Sequence, residues 1–150
     1  MKRITKVLIA TGLVAVGAAA LAEPYVDYTP QAGYWEISAV EVDPNHVDDY
    51  LTGLRKSQAT GFEVLKKRGL IDDYRFLVRD GYVKGSPNVL IMTHSATSAN
   101  LDPDKARDQA IEKEMLAVFS KEAGDKAVAG YEKYRTFVDD AHWITMDMMK

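Results

Sequence analysis

Hydrophobic and polar positions change period several times along the chain, and each change marks an element. "YWEISAVEV", Tyr34 to Val42, is short and rich in β-forming residues, which predicts a first strand. Asp43-Pro44 follow, a pair that starts helices with Asp as N-cap and Pro in the first turn. Val47, Tyr50, Leu51, Leu54, Gln58, Phe62 and Leu65 then recur at close to the spacing of one buried helical face. This helix is expected to stop at Gly69, behind Lys66-Lys67-Arg68, whose charges suit the negative end of the helix dipole. Gly53 and Gly61 inside it each cost about 1 kcal/mol relative to alanine, which bears on its straightness.

Leu70 to Asp80 alternates instead. Tyr74, Phe76 and Val78 fall on one face, and Asp73, Arg75, Leu77 and Arg79 on the other, as in a second strand. The turn region "GYVKGSP", residues 81–87, leads into a third strand, Asn88 to His94, apolar on both faces. After a polar connector, Asp102-Pro103 repeats the Asp-Pro helix start. A second helical region is expected to run to about Arg135 with an interruption near Gly124, and "FVDDAHWITMDMM" reads as the last strand. The order β-α-β-β-α-β predicts an α+β, ferredoxin-like domain over residues 34–150, an antiparallel sheet with helices on one face. The uncovered face is itself partly apolar, since Tyr34 and Trp35 point oppositely and the third strand is apolar throughout. A second copy of the chain is the economical cover.

The element order, together with Val42-x-Pro44, Tyr50-Leu51-x-x-Leu54 and Lys66-Lys67-Arg68-Gly69-Leu70-Ile71-x-x-Tyr74-Arg75, resembles the dimeric α/β-barrel superfamily. That group includes antibiotic-biosynthesis monooxygenases, EthD-like and NIPSNAP-like proteins and haem-degrading monooxygenases. The resemblance implies a homodimer whose two sheets face each other around a barrel, with a small pocket inside the barrel or between sheet and helices. The motif is mostly structural and argues fold better than function. The family's haem site does not carry over, because residues 103–136 contain no histidine and the first strand no asparagine. No cofactor is expected.

The amino terminus adds a compartment. Lys2, Arg3 and Lys6 precede an apolar run from Val7 to about Ala20, and Ala20-Leu21-Ala22 fits the cleavage rule of a signal peptide cut between Ala22 and Glu23. Residues 1–22 are therefore expected to be a cleaved bacterial Sec-type signal, and residues 23–33, with two prolines and no clear period, an extended arm or linker. The mature chain is then periplasmic or secreted, with no membrane anchor after cleavage. It carries no cysteine, so an ordinary apolar core must hold it. Without Lys2, Arg3 and Lys6, 16 basic residues face 22 acidic ones. An acidic chain without a basic stripe is not a nucleic-acid binder.

The chemistry-bearing residues are few. His46, His94 and His142 are the three histidines. His142 is expected to approach the Ala39–Val42 end of the first strand, and His94 to lie at the opposite edge, which argues against a shared zinc site. No metal site is expected. His46 reads as a solvated residue of the first helical turn, and His94 as a strand-end residue bonded to backbone or Ser95. His142 reads either as a half-buried core histidine or as a pocket acid or base. Arg75 is a second catalytic candidate, either for an acidic ligand or as a partner of Glu36 or Asp147 within a polar barrel interior that Tyr34, Glu36 and Ser38 share. Trp35, Tyr74 and Trp143 are the ligand-binding candidates. The terminal methionines suit packing or dimer contact better than copper.

Three functions stay open. The leading expectation is an exported homodimer that binds a small hydrophobic molecule. A cofactor-independent monooxygenase or isomerase-like enzyme on an aromatic substrate is the alternative, and an envelope protein-interaction module the third.

Overall fold

The computed structural model describes residues 22–149; the expected signal segment, apart from Ala22, lies outside them. The elements are β1 (Tyr28–Pro30), β2 (Tyr34–Val42), α1 (Val47–Lys56), α2 (Gln58–Lys67), β3 (Asp73–Val78), β4 (Val89–Ser95), α3 (Lys105–Val118), α4 (Lys121–Tyr131), β5 (Arg135–Trp143) and β6 (Met146–Met148). Short 3-10 turns at Pro44–His46 and Ser98–Leu101 lead into the two helical regions. The main sheet has the order β3-β4-β2-β5 with every neighbour antiparallel. This is the ferredoxin-like arrangement, an α+β fold.

The first strand occupies the expected residues. Behind it Asp43 accepts from the Asn45 N–H and caps the 3-10 turn. The first helix breaks at Ser57, not at Gly53 or Gly61, and continues as α2. At the second Asp-Pro start, the capping residue is Asp104, which accepts from Arg107 N–H, and not Asp102. The second helical region breaks at Phe119-Ser120, ahead of Gly124; Ser120 caps α4 through the Ala123 N–H.

The last strand departs most from expectation. It runs from Arg135 to Trp143 and stops, and Met146–Met148 forms a separate strand paired with Tyr28–Pro30. The arm is thus half of a small two-stranded ribbon. Tyr28 faces Met148, and Gln31 bonds Asp147 at 2.8 Å and the Thr145 carbonyl at 2.8 Å. Val138 is the extra residue of a β-bulge, since Ala39 opposes Asp139 and Val40 opposes Phe137. Arg135, not His142, lies at the Val42 end of β2.

The core sits between one half of the sheet and the helices. Val40 and Val42 of β2, Val89 and Ile91 of β4, Tyr50 and Leu54 of α1 and Tyr131 of α4 form one buried cluster. Burying each large member removes it from water for about 1.5–3 kcal/mol. Tyr50 and Tyr131 meet edge-on at 5.3 Å. Asn88 lies buried at the strand end and completes the ladder: its amide accepts from Val42 N–H and donates to Val42 C=O, both at 2.8 Å. At the other end Gly33, at φ +84°, lets the chain enter β2; an added Cβ would lie 2.1 Å from the Ser95 carbonyl oxygen.

Candidate functional site

The period of two along β2 divides the site residues between two faces. Tyr34, Glu36, Ser38, Val40 and Val42 face the helices, and Trp35, Ile37, Ala39 and Glu41 face away. The apolar half of the helix-facing row, Val40 and Val42, is fully buried. The other half is Tyr34, Glu36 and Ser38, and the helix layer seats loosely over it: α2 buries no residue fully, α3 only Ile111 and α4 only Tyr131.

The space left is a set of adjoining cavities. One of about 220 Å³ is walled by Glu36, Ser38, Gln58, Phe62, Ile91 and Phe137 among others. A second of about 260 Å³ reaches Leu65, Ile71 and Ile111. A third of about 470 Å³ runs under Gly61, Met115, Phe119 and Val128. Glu36 and Phe62 wall all three. A fourth depression of about 260 Å³, along the β5 edge, is lined by Glu36, Asp140, Ala141 and His142. The arrangement is a cleft of ligand size whose largest part, under α2 to α4, is mainly apolar and whose other walls carry Glu36, Ser38, Thr93, Arg107 and Arg135.

The charges around the cleft are unequally occupied. The Arg135 guanidinium lies 4.3 Å from the Tyr131 ring and 4.7 Å from the Phe137 ring, and donates to Tyr50 Oη at 3.2 Å. Arg107 is held by Asp108 at 2.9 Å and by the Asp102 carbonyl. Asp140 accepts from Ser38 Oγ at 3.1 Å. Glu36 forms no ion pair among the described residues. The sequence reading placed Glu36 in a barrel interior; it stands instead exposed on the helix side of β2, on the walls of the cleft. A signal existed: a glutamate stands in the same alternating row as the core residues Val40 and Val42.

The expected site residues do not converge. His142 opposes Glu36 at the beginning of β2, and its ring centroid lies 4.7 Å from that of Tyr34 on the helix side. The expectation that it would approach Ala39–Val42 fails because β5 begins at Arg135 and ends at Trp143, which sets the register seven residues away from that end. His94 opposes Trp35, so His94 and His142 share one end of the sheet, on opposite faces. The earlier reason for separating them is therefore wrong, and the two faces supply another. Among the described residues no group of three or more His, Cys, Asp or Glu is placed to hold a metal ion.

His94 is not bonded to Ser95; its Nδ1 lies 2.5 Å from Asp72 Oδ1 and its ring 4.8 Å from Trp35. His46 stacks on Tyr134 at 4.5 Å and pairs with Asp49 instead of standing free in solvent. Arg75 lies over Trp35 at 5.3 Å on the uncovered face and pairs with Asp73 at 2.9 Å, not with Glu36 or Asp147. Tyr74 is on the helix side against Phe62, with its hydroxyl on Glu63 at 2.7 Å. Trp35 and Trp143 oppose each other on the far face. The ligand-binding candidates Trp35, Tyr74 and Trp143 are thus divided by the sheet, as are His142 and Arg75.

The uncovered face carries Trp35, Ile37, Leu90 and Met92, half-buried, with Leu77 and Trp143 about half exposed at 47% and 54%. No helix among the described residues is long and apolar enough to cross a membrane.

No family model matches the chain, and no curated protein matches it. Among solved structures, a dimeric ferredoxin-like protein of unknown function from Thermobifida fusca YX is similar to it at 13% identity. The similarity covers 79% of this chain and 92% of that one, with a TM-score of 0.37.

Proposed function

We propose that the chain is an exported homodimer of the dimeric α/β-barrel type that binds a small, largely hydrophobic molecule in the cleft between its sheet and its helices. The observation that carries the reading is the cleft itself, three adjoining cavities that share Glu36 and Phe62, the largest of them lined mainly by apolar side chains and the other two by apolar and polar ones together. Export is supported by the basic, apolar and Ala20-Leu21-Ala22 sequence of the first 22 residues. Dimerisation is supported by the uncovered apolar row of Trp35, Ile37, Leu90, Met92 and Trp143. A two-fold copy would present the same row and remove both from water.

The test is native mass spectrometry of the mature protein purified from its host, followed by titration with an apolar fluorescent probe. A bound small molecule, or saturable probe binding of one per chain, is expected. An empty protein that also binds no probe contradicts the reading.

A further inference from the structure

We propose, on the reading that the chain is exported and cut between Ala22 and Glu23, that the ammonium group so formed on Glu23 is held by the Asp27 carboxylate. Cleavage at that bond then tightens a clasp that joins the first residues of the mature chain to Met149.

Residues 23–28 form a closed turn. Glu23 N–H donates to Asp27 Oδ2 at 2.7 Å, and the Glu23 carbonyl accepts from Asp27 N–H at 2.9 Å and from Val26 N–H at 3.2 Å. Tyr25, at φ 64°, donates to the Tyr28 carbonyl at 2.6 Å. A tyrosine enters that region of backbone space only where surrounding bonds hold it. The turn is fastened to the far end of the sequence: Met149 N–H donates to the Asp27 carbonyl at 2.9 Å, and Tyr28 opposes Met148. Asp27 thus holds Glu23 with its side chain and Met149 with its main chain. Asp27 forms no ion pair among the described residues.

In the uncut chain the Glu23 nitrogen is an amide with one N–H and no charge. Hydrolysis adds water across the Ala22–Glu23 bond. Ala22 leaves as a carboxylate, and Glu23 keeps an α-amine that is mostly protonated at neutral pH, with three N–H donors. That nitrogen already lies within hydrogen-bond distance of Asp27, so a neutral donor becomes a charged one in place. A cut one or two residues earlier leaves the nitrogen an amide. The clasp is therefore specific to the Ala22–Glu23 bond.

The test starts from protein purified from its host, whose first residue is read by intact mass. The α-amine of Glu23 is then acetylated at neutral pH with a dilute N-hydroxysuccinimide ester, and the first peptide is followed by mass spectrometry. Only the unprotonated amine reacts, and a neighbouring carboxylate favours the protonated one. The pair is exposed, so labelling is expected to be about threefold slower than in Asp27→Asn. It should be slower by a similar factor than in a free peptide of residues 23–26, a comparison that needs no variant to fold. Both differences should shrink in about 1 M salt. A chain that still carries residues 1–22 overturns the export reading and the clasp with it. A chain cut elsewhere overturns the clasp and leaves export standing. A chain that begins at Glu23 and is labelled as fast as Asp27→Asn or the free peptide overturns the clasp alone.

Discussion

Glu36 and His142 stand directly opposite one another across the β2–β5 ladder, on the side of the sheet that faces the helices. The pair fixes the place of His142 in the molecule. It is at the rim of the cleft, packed on Tyr34 and exposed, and is not among the residues that wall the three adjoining cavities. His142→Ala should therefore change stability by less than about 1 kcal/mol, the worth of one exposed aromatic contact. It should leave binding of a neutral apolar ligand intact. Urea titration and probe binding check both. If a turnover is ever measured, its loss in this variant with binding retained would assign His142 an acid–base role.

Asn88 has the opposite character. Its side chain stands in for a strand by satisfying both the N–H and the C=O of Val42, within the buried end of the sheet. Asn88→Ala leaves a donor and an acceptor unpartnered, which should cost about 2–4 kcal/mol. A lowered urea midpoint at unchanged slope is expected. A variant as stable as the parent would mean that water or a rearranged loop replaces the amide.

Acid should loosen the β3–β4 loop. The Glu41 carboxylate accepts from Gly85 N–H and Tyr82 Oη, both at 2.8 Å, and these bonds hold its pKa below the ordinary carboxylate value. A group whose pKa is depressed by folding contributes stability that is present above its unfolded pKa, near 4.5, and is lost as the pH falls through the lower folded value. The protection of the Gly85 amide from hydrogen exchange, measured against the intrinsic rate at each pH, should fall below about pH 4.5 in the parent. In Glu41→Gln the protection there should be less pH-dependent. Identical profiles in the two proteins would remove Glu41 from the account.

The uncovered sheet face makes a prediction about assembly. Sedimentation at micromolar concentration should show a dimer, and Ile37→Asp, which puts a charge on the central strand of the proposed contact, should give a monomer. A parent protein that sediments as a monomer contradicts the dimeric barrel.

Much of the fold was legible because two periods differ so plainly. The alternation grouped Tyr34, Glu36 and Ser38 on one face of the first strand and Tyr74, Phe76 and Val78 on one face of the second, and Asp43 predicted a helix start. The alternation did not say which face meets the helices, and the first group lies there and not in a barrel interior. The register of the last strand was not legible. No glycine or proline marks its end at Trp143, so "HWITMDMM" read as one strand, and the Val138 bulge has no local signature. The pairing of Tyr28–Pro30 with Met146–Met148 joins segments more than a hundred residues apart, which no local pattern encodes. The register of β5 places His142 opposite Glu36, away from the Val42 end of β2. The helix breaks at Ser57 and Phe119-Ser120 were missed for a related reason. Glycine marks where a helix is weak, but capping and packing decide where it ends.

The cleft is the central claim, and Gly61 tests it most directly. Gly61 sits in α2 on the wall of the largest cavity, where an added Cβ meets only the Met115 methyl at 3.8 Å. Gly61→Leu removes a helix-interior glycine, worth about 1 kcal/mol, and projects a side chain into the space proposed for the ligand. Titration of this variant with an apolar fluorescent probe, beside a thermal melt, separates binding from folding. The account predicts a protein at least as stable as the parent whose probe affinity falls at least about tenfold. A variant of parental stability that binds the probe as tightly as the parent would contradict it.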